Sequence, residues 1–511
     1  MTRPPAAPGV PPVREDGEAC VLALDVGTSS TRCVAFDVRG AEIPLAGSGP
    51  AVREHAVRAT PDGGSELDAA PLLAGAFACL AAASQDMRGR GRPILGVGVC
   101  TMWHGVLAVD GRGEPLTPLL LWNDMRSAAQ ALSLRRVLDQ EAVHRRTGCV
   151  LHPSFLPARL MWLRDARPEV FRRASRFVSF GEWLEFRLFG RWRVGLSMAS
   201  GTGFLDQDAC AWDAELLQAV GLEPERLSPL EPLHAGRTGL ARDAALRLPA
   251  LAEAPVFPAL GDGACNSVGS GACGRGEGAL MVGTSAALRV MFAEHAPPAP
   301  PGLWRYLLDR RRALIGGALS NGGNLYAWLL RTLRLDEPRD VLEQKLAAAQ
   351  PGGHGLTMLP FLAGERNPDY PLDATGLVAG LRLASTPFDV LHAGLEAVAF
   401  RLAAIADRLQ DAGCAPERYV ASGGLLHSPA WARLLADVLG RPLTLSPLQE
   451  ATARGAALVA LEALGAIPSA LDVPAPPGRL IEPDARRHAA YADSRARHES
   501  AYARWKDADV P

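Results

Sequence analysis

The sequence repeats one short polar turn at two distant places. Residues 26–29 and residues 282–285 both read Val-Gly-Thr-Ser, and each copy stands between two apolar segments of about strand length. The first copy is preceded by Asp25, and the second has no acidic residue there. Glycine, threonine and serine in a turn offer backbone N–H groups and hydroxyls to one point, which suits an anion. A single copy is ordinary turn chemistry, but two copies facing each other across a cleft could hold one polyphosphate.

A P-loop does not fit these turns. A P-loop leads from a strand into a helix and places a lysine after its glycines. Here the residues after each turn alternate as in a strand, and the only lysines of the chain are Lys345 and Lys506. The turns therefore predict two β-hairpins. Asp25 is either a solvated carboxylate at the end of a strand or a group that holds Mg²⁺ through water, because magnesium keeps several waters when it binds one or two carboxylates.

A second carboxylate, Asp262, lies between two glycines at the start of a segment rich in alanine, glycine and serine. That segment is predicted to be helical to about Gly271. Asp262 could cap this helix by accepting hydrogen bonds from its first N–H groups. It could also face a cleft and accept a proton as a general base, since its small neighbours leave room for a substrate.

Two tryptophan-containing motifs suit a polyhydroxy ligand. Trp103 is followed by His104, and Trp122, Asp124 and Arg126 stand at alternate positions. Alternate residues of an extended segment face the same side, so these three side chains could converge on one ligand. An aromatic face packs on C–H groups, a carboxylate accepts from hydroxyls and a guanidinium donates to them. Each residue alone would instead indicate a core tryptophan or a surface ion pair.

Paired glycines occur twice more in the second half of the chain, at Gly322 and Gly323 and at Gly423 and Gly424. Glycine lets the backbone approach a flat base or a ribose closely. Ser428 follows the second pair, where it could cap a helix that begins near Pro429, hydrogen-bond a ligand held by the glycines, or do both.

Composition limits the class of protein. A chain of 511 residues predicts two large domains. A formal net charge of −2 without a basic stripe argues against a nucleic-acid partner. No stretch reaches the ~18 apolar residues of a membrane helix, and residues 1–19 indicate a short disordered tail instead of a signal peptide. The nine scattered cysteines have no C-x-x-C pair, which indicates reduced thiols. We therefore expect a cytoplasmic protein.

The motifs resemble those of the FGGY carbohydrate kinases, in the same order along the chain. The resemblance begins near residue 20 and is carried by residues 25–32, 101–127, 261–272, 318–329, 361–376 and 422–443. It implies an α/β fold with two actin-like domains of the ribonuclease H type around a deep cleft. Residues 20–255 would form the N-terminal domain, which binds sugar and phosphate. Residues 256–511 would form the C-terminal domain, which binds the nucleotide and carries the catalytic aspartate.

The resemblance also implies roles for individual residues. ATP and Mg²⁺ are the expected cofactors, Asp262 is the general base, Asp25 holds Mg²⁺ through water, and a homodimer is possible. The nucleotide would contact Asp25, Gly27, Thr28, Ser29, Ser30, Arg32, Gly283, Thr284, Ser285, Gly322, Gly323, Gly423, Gly424 and Ser428. The acceptor would contact Trp103, His104, Trp122, Asp124, Arg126, Asp262 and Arg289.

Gluconate is the acceptor that the motifs favour, with 6-phosphogluconate as the product. Gluconate carries a carboxylate, so its pocket needs a cation, for which Arg126, Arg289 and His104 are the candidates. Two departures from the family pattern could reshape the pocket: Trp103 stands where methionine commonly precedes the histidine, and Tyr370 stands where tryptophan is usual. The main alternative is a pentulose kinase similar to the xylulokinases, or a kinase of another polyol. A non-catalytic sugar sensor and a filament-forming actin relative are less well supported.

Overall fold

The structure is a computed structural model that describes residues 19–46, 51–274 and 276–507. The tail expected over residues 1–19 lies outside these ranges except for Ala19. The structure has the expected architecture, with helices packed on two mixed sheets, one in each half of the chain.

The strands are, in chain order, β1 (Cys20–Val26), β2 (Ser30–Asp37), β3 (Glu42–Ile43), β4 (Ala51–Glu54), β5 (Arg58–Ala59), β6 (Ser65–Leu67), β7 (Ile94–Thr101), β8 (Leu107–Val109), β9 (Leu119–Leu120), β10 (Arg176–Val178), β11 (Val194–Gly195), β12 (Leu205–Asp206), β13 (Ala211–Trp212), β14 (Leu230–Glu231), β15 (Leu260–Gly261), β16 (Glu277–Val282), β17 (Ala286–Phe292), β18 (Trp304–Leu307), β19 (Ala313–Leu319), β20 (Thr357–Leu359), β21 (Leu377–Ala379), β22 (Arg418–Ser422), β23 (Leu443–Leu445) and β24 (Arg479–Ile481).

The α-helices are α1 (Ala69–Gly89), α2 (Ala128–Val137), α3 (Gln140–Thr147), α4 (Leu156–Ala166), α5 (Pro168–Arg173), α6 (Phe180–Phe189), α7 (Leu196–Ser200), α8 (Ala214–Val220), α9 (Arg242–Arg247), α10 (Asp262–Gly269), α11 (Gly323–Thr332), α12 (Arg339–Ala348), α13 (Pro387–Asp411), α14 (Pro429–Leu439), α15 (Ala451–Ala463) and α16 (Ala485–Asp507). The helix predicted after Gly261 is thus confirmed as α10, and the one predicted near Pro429 is α14. None of the helices in the described ranges is long and apolar enough to span a membrane.

The two sheets repeat one topology. The first sheet has the order β15-β7-β1-β2-β3, with β1 and β2 antiparallel and β7 parallel to β1. The second sheet contains the order β23-β22-β16-β17-β19, in which β16 and β17 form the hairpin and β22 is parallel to β16. Each Val-Gly-Thr-Ser segment is therefore the turn of the corresponding hairpin. The duplicated motif in the sequence reflects a duplicated fold.

Two helices connect the halves and cross at very close range. α10 follows β15 and α15 follows β23, and the two helices pack against each other. A Cβ added at Gly269 would lie 1.7 Å from the carbonyl oxygen of Ala451, and one added at Gly455 would lie 1.9 Å from that of Cys265. Small residues are needed here because the two helix backbones approach so closely that no larger side chain fits between them. The N-termini of both helices point to the floor of the cleft, with Asp262 opening α10 and Glu450 preceding α15.

The first sheet continues beyond the division expected at residue 255. Val256 bridges to Val97, and β15 pairs with β7 in parallel. The chain leaves the first sheet only at Gly261, because the two prolines at 255 and 258 do not prevent the segment from completing the sheet edge. The division at residue 255 stays a proposal, and the change of sheet falls at the start of α10.

Candidate active site

Asp25 lies in the middle of the first sheet, where three strands meet. It stands opposite Arg32 on β2 and beside Cys100 on β7. Burial raises the pKa of Asp25 to about 7; the positive charge of Arg32 acts against this rise, while the negative charges of Asp262 and Glu450 add to it. The negative charges of Asp25, Asp262 and Glu450 together attract a cation, and no lysine lies nearby to neutralise them.

Asp262 begins α10 at the end of β15. Its Oδ1 accepts the N–H of Gly263 at 2.8 Å, while the cap position belongs to Gly261. Burial raises the pKa of the Asp262 carboxyl, and the neighbouring Arg289 works in the opposite direction. A carboxylate that is short of solvent and only partly hydrogen-bonded is a competent proton acceptor.

The glycines beside Asp262 make room for a tryptophan. A Cβ at Gly261 would lie 1.8 Å from Cε2 of Trp103, and one at Gly263 would lie 2.7 Å from Cζ3 of the same ring. The indole Nε1 donates to the carbonyl oxygen of Ser197 at 2.9 Å, which fixes the ring. The sequence had suggested open space around Asp262; the space is filled by Trp103.

The second hairpin is surrounded by the paired glycines. The N–H of Gly323 donates to the carbonyl oxygen of Gly283 at 2.8 Å, and a Cβ at Gly322 would lie 2.7 Å from the carbonyl carbon of Ser285. Gly423, with φ of 82°, and Gly424 both approach the carbonyl oxygen of Val282. The structure therefore brings four predicted nucleotide residues around the turn that contains Gly283, Thr284 and Ser285, and Thr284 at its tip is exposed.

The first hairpin has a similar tip but different supports. The N–H of Gly27 closes the turn on the carbonyl oxygen of Ser30 at 2.9 Å, Thr28 is partly exposed and Ser29 is exposed. Arg32 donates to Ser30 Oγ at 2.7 Å and forms an ion pair with Glu450 at 2.9 Å. Arg32 was predicted to contact the nucleotide, but its guanidinium is used to join β2 to the start of α15. Arg32 influences the site through its positive charge, which acts to lower the pKa of Asp25.

A cavity opens beside Asp262 and is lined by residues from both halves of the chain. Its lining includes Trp103, His104, Trp122, Asp262, Gly263, Met281, Ser285, Ala287, Arg289, Trp304, Tyr306, Ala318 and Arg366. The rings of Trp304 and Tyr306 are stacked with centroids 4.3 Å apart, and Tyr306 lies 4.8 Å from Trp103. The walls are aromatic, and the polar groups are concentrated near Asp262.

His104 is neutral in this cavity. Its Nδ1 lies 2.6 Å from the carbonyl oxygen of Gly201 and must donate to it, which leaves Nε2 as an acceptor. Burial lowers the pKa of His104 to about 3, with Arg366 and Arg159 adding to the effect of burial. His104 therefore lines the cavity beside Asp262, but as a neutral ring it is not the cation that a carboxylate needs.

Two arginines provide the positive charge. Arg289 donates to the carbonyl oxygen of Gly263 at 2.6 Å, and burial lowers its pKa to about 10, so it stays charged at neutral pH. Arg366 lies over the ring of Trp122 at 4.3 Å from its centroid and donates to the carbonyl oxygen of Leu319. The Nε atoms of both arginines are buried and have no hydrogen-bond partner among the residues that the structure describes. Such donors can serve a ligand.

Asp124 and Arg126 do not face the cavity. Arg126 pairs with Asp124 at 2.5 Å and with Glu66 at 2.8 Å, and its guanidinium lies 4.5 Å from the ring centroid of Trp162. Asp124 also accepts the N–H of Ser65. The alternation argument was wrong for this segment because the chain turns after Trp122 instead of continuing as a strand. Of the three residues, only Trp122 lines the cavity beside Asp262.

Ser428 is a helix cap in this structure. Its Oγ accepts the N–H of Trp431 at 3.3 Å and donates to Glu343 Oε1 at 2.6 Å, and the residue is buried. Both hydrogen-bonding functions of the hydroxyl are in use. The predicted nucleotide contact is therefore not supported by the geometry, whereas the predicted capping role is confirmed.

Several pocket residues were not predicted from the sequence. Arg366 follows Gly364 and Glu365 in a segment that carried the family resemblance, but it received no role. Trp304 and Tyr306 stand at alternate positions of β18, so the sequence could have predicted that both side chains lie on the same face of a strand. Tyr370, one of the departures from the family pattern, packs behind the pocket against His152, with ring centroids 5.1 Å apart.

One group among the described residues has donors close enough to share a metal ion directly: His354, His392 and Glu396, far from Asp25 in the second half. The N–H of Leu356 donates to His354 Nδ1 at 2.9 Å, so Nε2 must carry the proton that it shares with Glu396 at 3.1 Å. A metal ion could bind that Nε2 only if neither ring nitrogen of His354 carried a proton. The group is accordingly a hydrogen-bonded cluster in the core.

Fold and site together define a two-lobed α/β enzyme of the actin and hexokinase type, with carboxylates on the floor of the cleft and a polar turn from each lobe. The N-terminal domain of the FGGY family of carbohydrate kinases matches residues 20–269, and its C-terminal domain matches residues 278–464. The chain belongs to this family, and its activity is that of a sugar kinase.

Relatives with different acceptors are similar to the chain to about the same degree. The gluconokinase of Bacillus subtilis is 27% identical over 460 residues, which cover 88% of each chain. The xylulose kinase of Streptomyces rubiginosus is 31% identical over 440 residues, or 86% of each chain. The solved gluconate kinase from Lactobacillus acidophilus has a TM-score of 0.87 at 24% identity and covers 96% of this chain and 99% of its own. The identity of the sugar therefore depends on the pocket.

Proposed function

We propose that the protein transfers the γ-phosphoryl group of ATP to a hydroxyl of gluconate, forming 6-phosphogluconate. The observation that carries the acceptor is the pair of buried arginines beside Asp262. Among the described residues, the only oxygen atoms to which the guanidinium groups of Arg289 and Arg366 donate are backbone carbonyl oxygens, and each has an Nε without a hydrogen-bond partner. Burying a guanidinium is costly. The negative charge of Asp262 offsets part of that cost for both arginines, and the carboxylate of a sugar acid would offset more of it.

The residues of the chain divide the work in a definite way. Asp262 accepts the proton of the attacking hydroxyl, and His104 Nε2 accepts a hydrogen bond from a second hydroxyl. The aromatic walls formed by Trp103, Trp304 and Tyr306 pack on the C–H faces of the sugar. Because these walls come from both halves of the chain, closing the cleft would exclude water, which otherwise competes as phosphoryl acceptor.

The two hairpins are the proposed phosphate site. Their exposed tips, Ser29 and Thr284, offer backbone N–H groups and hydroxyls, and the glycines near Gly283 leave room for the nucleotide. Asp25 would hold Mg²⁺ through water, and the ion would neutralise charge on the phosphates. The fit is favourable because Asp25 is short of cationic neighbours, with Arg32 shared with Glu450. We also place the enzyme in the cytoplasm, where ATP is available and where its nine free thiols stay reduced.

The test compares acceptors that differ only in charge. ATP consumption is measured with gluconate and with glucitol, which replaces the carboxylate by CH₂OH, and then with xylulose, ribulose and glycerol. A kcat/KM for gluconate at least tenfold above that for glucitol supports the proposal. Arg366→Met should lower kcat/KM for gluconate more than that for any neutral acceptor.

A pentulose kinase is the second candidate, because the xylulose kinase of Streptomyces rubiginosus is 31% identical to this chain. If xylulose is the best acceptor and Arg366→Met affects all acceptors equally, gluconate is excluded and the pentulose assignment replaces it. The assignment of the protein as a sugar kinase would not change.

A further inference from the structure

Arg159 is a buried arginine with no ion pair among the described residues. It belongs to α4 and is 1% exposed. The hydrogen bonds of its guanidinium are all donated to backbone carbonyl oxygens. Its Nε donates to Pro153 at 2.7 Å, its Nη2 donates to Ser154 at 3.0 Å, and its Nη1 donates to His104. Burial lowers the pKa of Arg159 to about 10, and the nearby Asp124 acts in the opposite direction. An unpaired buried charge is expensive, so its position calls for a reason.

The reason lies in the conformation of His104. This residue has φ of 63°, in the left-handed region that non-glycine residues rarely adopt. Such a conformation persists only where the surroundings enforce it, and it is common at functional sites. Two contacts enforce it here: Arg159 holds the carbonyl oxygen of His104, and the carbonyl oxygen of Gly201 holds the ring at Nδ1.

The same contacts decide which nitrogen faces the acceptor. Because Nδ1 donates to Gly201, Nε2 is the nitrogen that accepts, and in this structure its partner is Tyr306 Oη at the long distance of 3.5 Å. A sugar hydroxyl at a shorter distance would replace this weak contact. Phe155, which follows the two other carbonyl groups held by Arg159, packs edge-on against the His104 ring with centroids 5.2 Å apart. Arg159 thus links both segments that confine the ring.

We propose that Arg159 is a positioning residue that holds His104 so that Nε2 accepts a hydrogen bond from a hydroxyl of the sugar. This inference rests on the proposed acceptor site, to which His104 belongs. Arg159 itself does not line the cavity, so its effect on the sugar must act through His104. It should therefore change acceptor binding without changing nucleotide binding.

The first test is the variant Arg159→Lys, which keeps the charge but replaces the planar set of donors by one ammonium group. The KM for the sugar should rise about tenfold or more, and the KM for ATP should change less than twofold. Arg193→Lys is the matched control: Arg193 is also buried, pairs with Glu185 and donates to backbone carbonyls, but it lies away from the cavity. An equal rise in sugar KM in both variants would overturn the proposal.

Two further measurements separate positioning from general support. In a His104→Ala background, Arg159→Lys should add less than a twofold change in sugar KM, since the group it positions is gone; a full tenfold addition contradicts the proposal. Nitrogen-15 NMR of the histidine rings does not depend on turnover. In the wild-type protein His104, assigned by its loss in His104→Gln, should remain the neutral Nδ1–H form down to about pH 4, and Arg159→Lys should shift its ring signals.

The NMR result also keeps the two proposals apart. If the wild-type protein phosphorylates no acceptor of the panel, the proposed function fails, and the histidine signals still decide the role of Arg159. A wild-type His104 in the Nε2–H form, or ring signals that are identical in Arg159→Lys and wild type, would overturn the inference.

Discussion

Trp103 and Gly261 occupy adjoining space so tightly that a single added methyl group cannot be accommodated. A Cβ on Gly261 would lie 1.8 Å from Cε2 and 2.2 Å from Nε1 of the indole. The backbone of Gly261 is in an ordinary extended conformation, with φ of −75°, so the glycine is required by packing alone. Because Gly261 immediately precedes Asp262, this contact sets where the proposed base begins its helix.

Gly261→Ala should consequently displace Asp262 and lower kcat by at least tenfold. The double variant Gly261→Ala/Trp103→Met should recover part of that loss, since the clashing ring is removed. Gly111→Ala is the control, because a Cβ at Gly111 meets nothing within 4 Å. Steady-state kinetics of the four proteins give the answer, and the absence of any recovery in the double variant would show that Trp103 does not set the position of Asp262.

Asp262→Asn should lower kcat by roughly 10²–10⁴-fold, the usual contribution of a general base, while ATP binding and thermal stability stay nearly unchanged. The amide oxygen of Asn can still accept the N–H of Gly263, so the start of α10 is preserved. The comparison with Asp262→Ala measures the helix contribution separately by its melting temperature. Turnover close to the wild-type value in Asp262→Asn would remove this residue from the mechanism.

Asp25 should make the protein without Mg²⁺ less stable as the pH rises. The folded state keeps a proton on Asp25 up to about pH 7, whereas the ordinary pKa of this group is 3.8. Between these values the folded state binds more protons than the unfolded chain, so raising the pH through this window lowers the free energy of unfolding. Asp25→Asn removes the group and should flatten this dependence. Melting temperatures measured from pH 4 to 8 test this, and parallel curves for both proteins would contradict it.

Arg126→Met should destabilise the fold and leave acceptor preference unchanged. The change leaves Asp124 and Glu66 buried without their shared cation, which costs about 3–5 kcal/mol of unfolding free energy. Arg172→Met, which breaks an exposed pair with Glu169, is the control and should cost little. Denaturant unfolding gives both values. A selective loss of gluconate activity in Arg126→Met would restore it as an acceptor contact.

Gly323→Ala should raise the KM for ATP several-fold and leave the KM for the sugar nearly unchanged. A Cβ at Gly323 would lie 2.5 Å from the carbonyl oxygen of Gly283, so the second hairpin must move. In a helix without such a contact, alanine in place of glycine is stabilising. Gly89→Ala in α1 is the control for this stabilising effect, because the added carbon would have no described atom within 4 Å. If Gly323→Ala is likewise more stable and binds ATP normally, this region lies away from the nucleotide.

The sequence by itself determined much of the architecture. Local patterns were sufficient for the two hairpins, for α10 and α14, and for the capping role of Ser428, because hairpins and helix starts depend on residues a few positions apart. The order of the motifs was sufficient for the family. Asp25, Asp262 and the paired glycines were found because each stands at the end of a regular element, where the chain direction is already known.

Only the tertiary structure decided which charged side chains face the acceptor. Arg126 turns to Glu66, Arg32 to Glu450 and Arg366 to Trp122, and the last two partners lie hundreds of residues away in the sequence. His104 could be charged or neutral until burial and the carbonyl group of Gly201 were known. The physical reason is that a long polar side chain takes the partner that best offsets its desolvation. That partner is brought near only by tertiary packing, within one lobe for Arg126 and between the two lobes for Arg32 and Arg366.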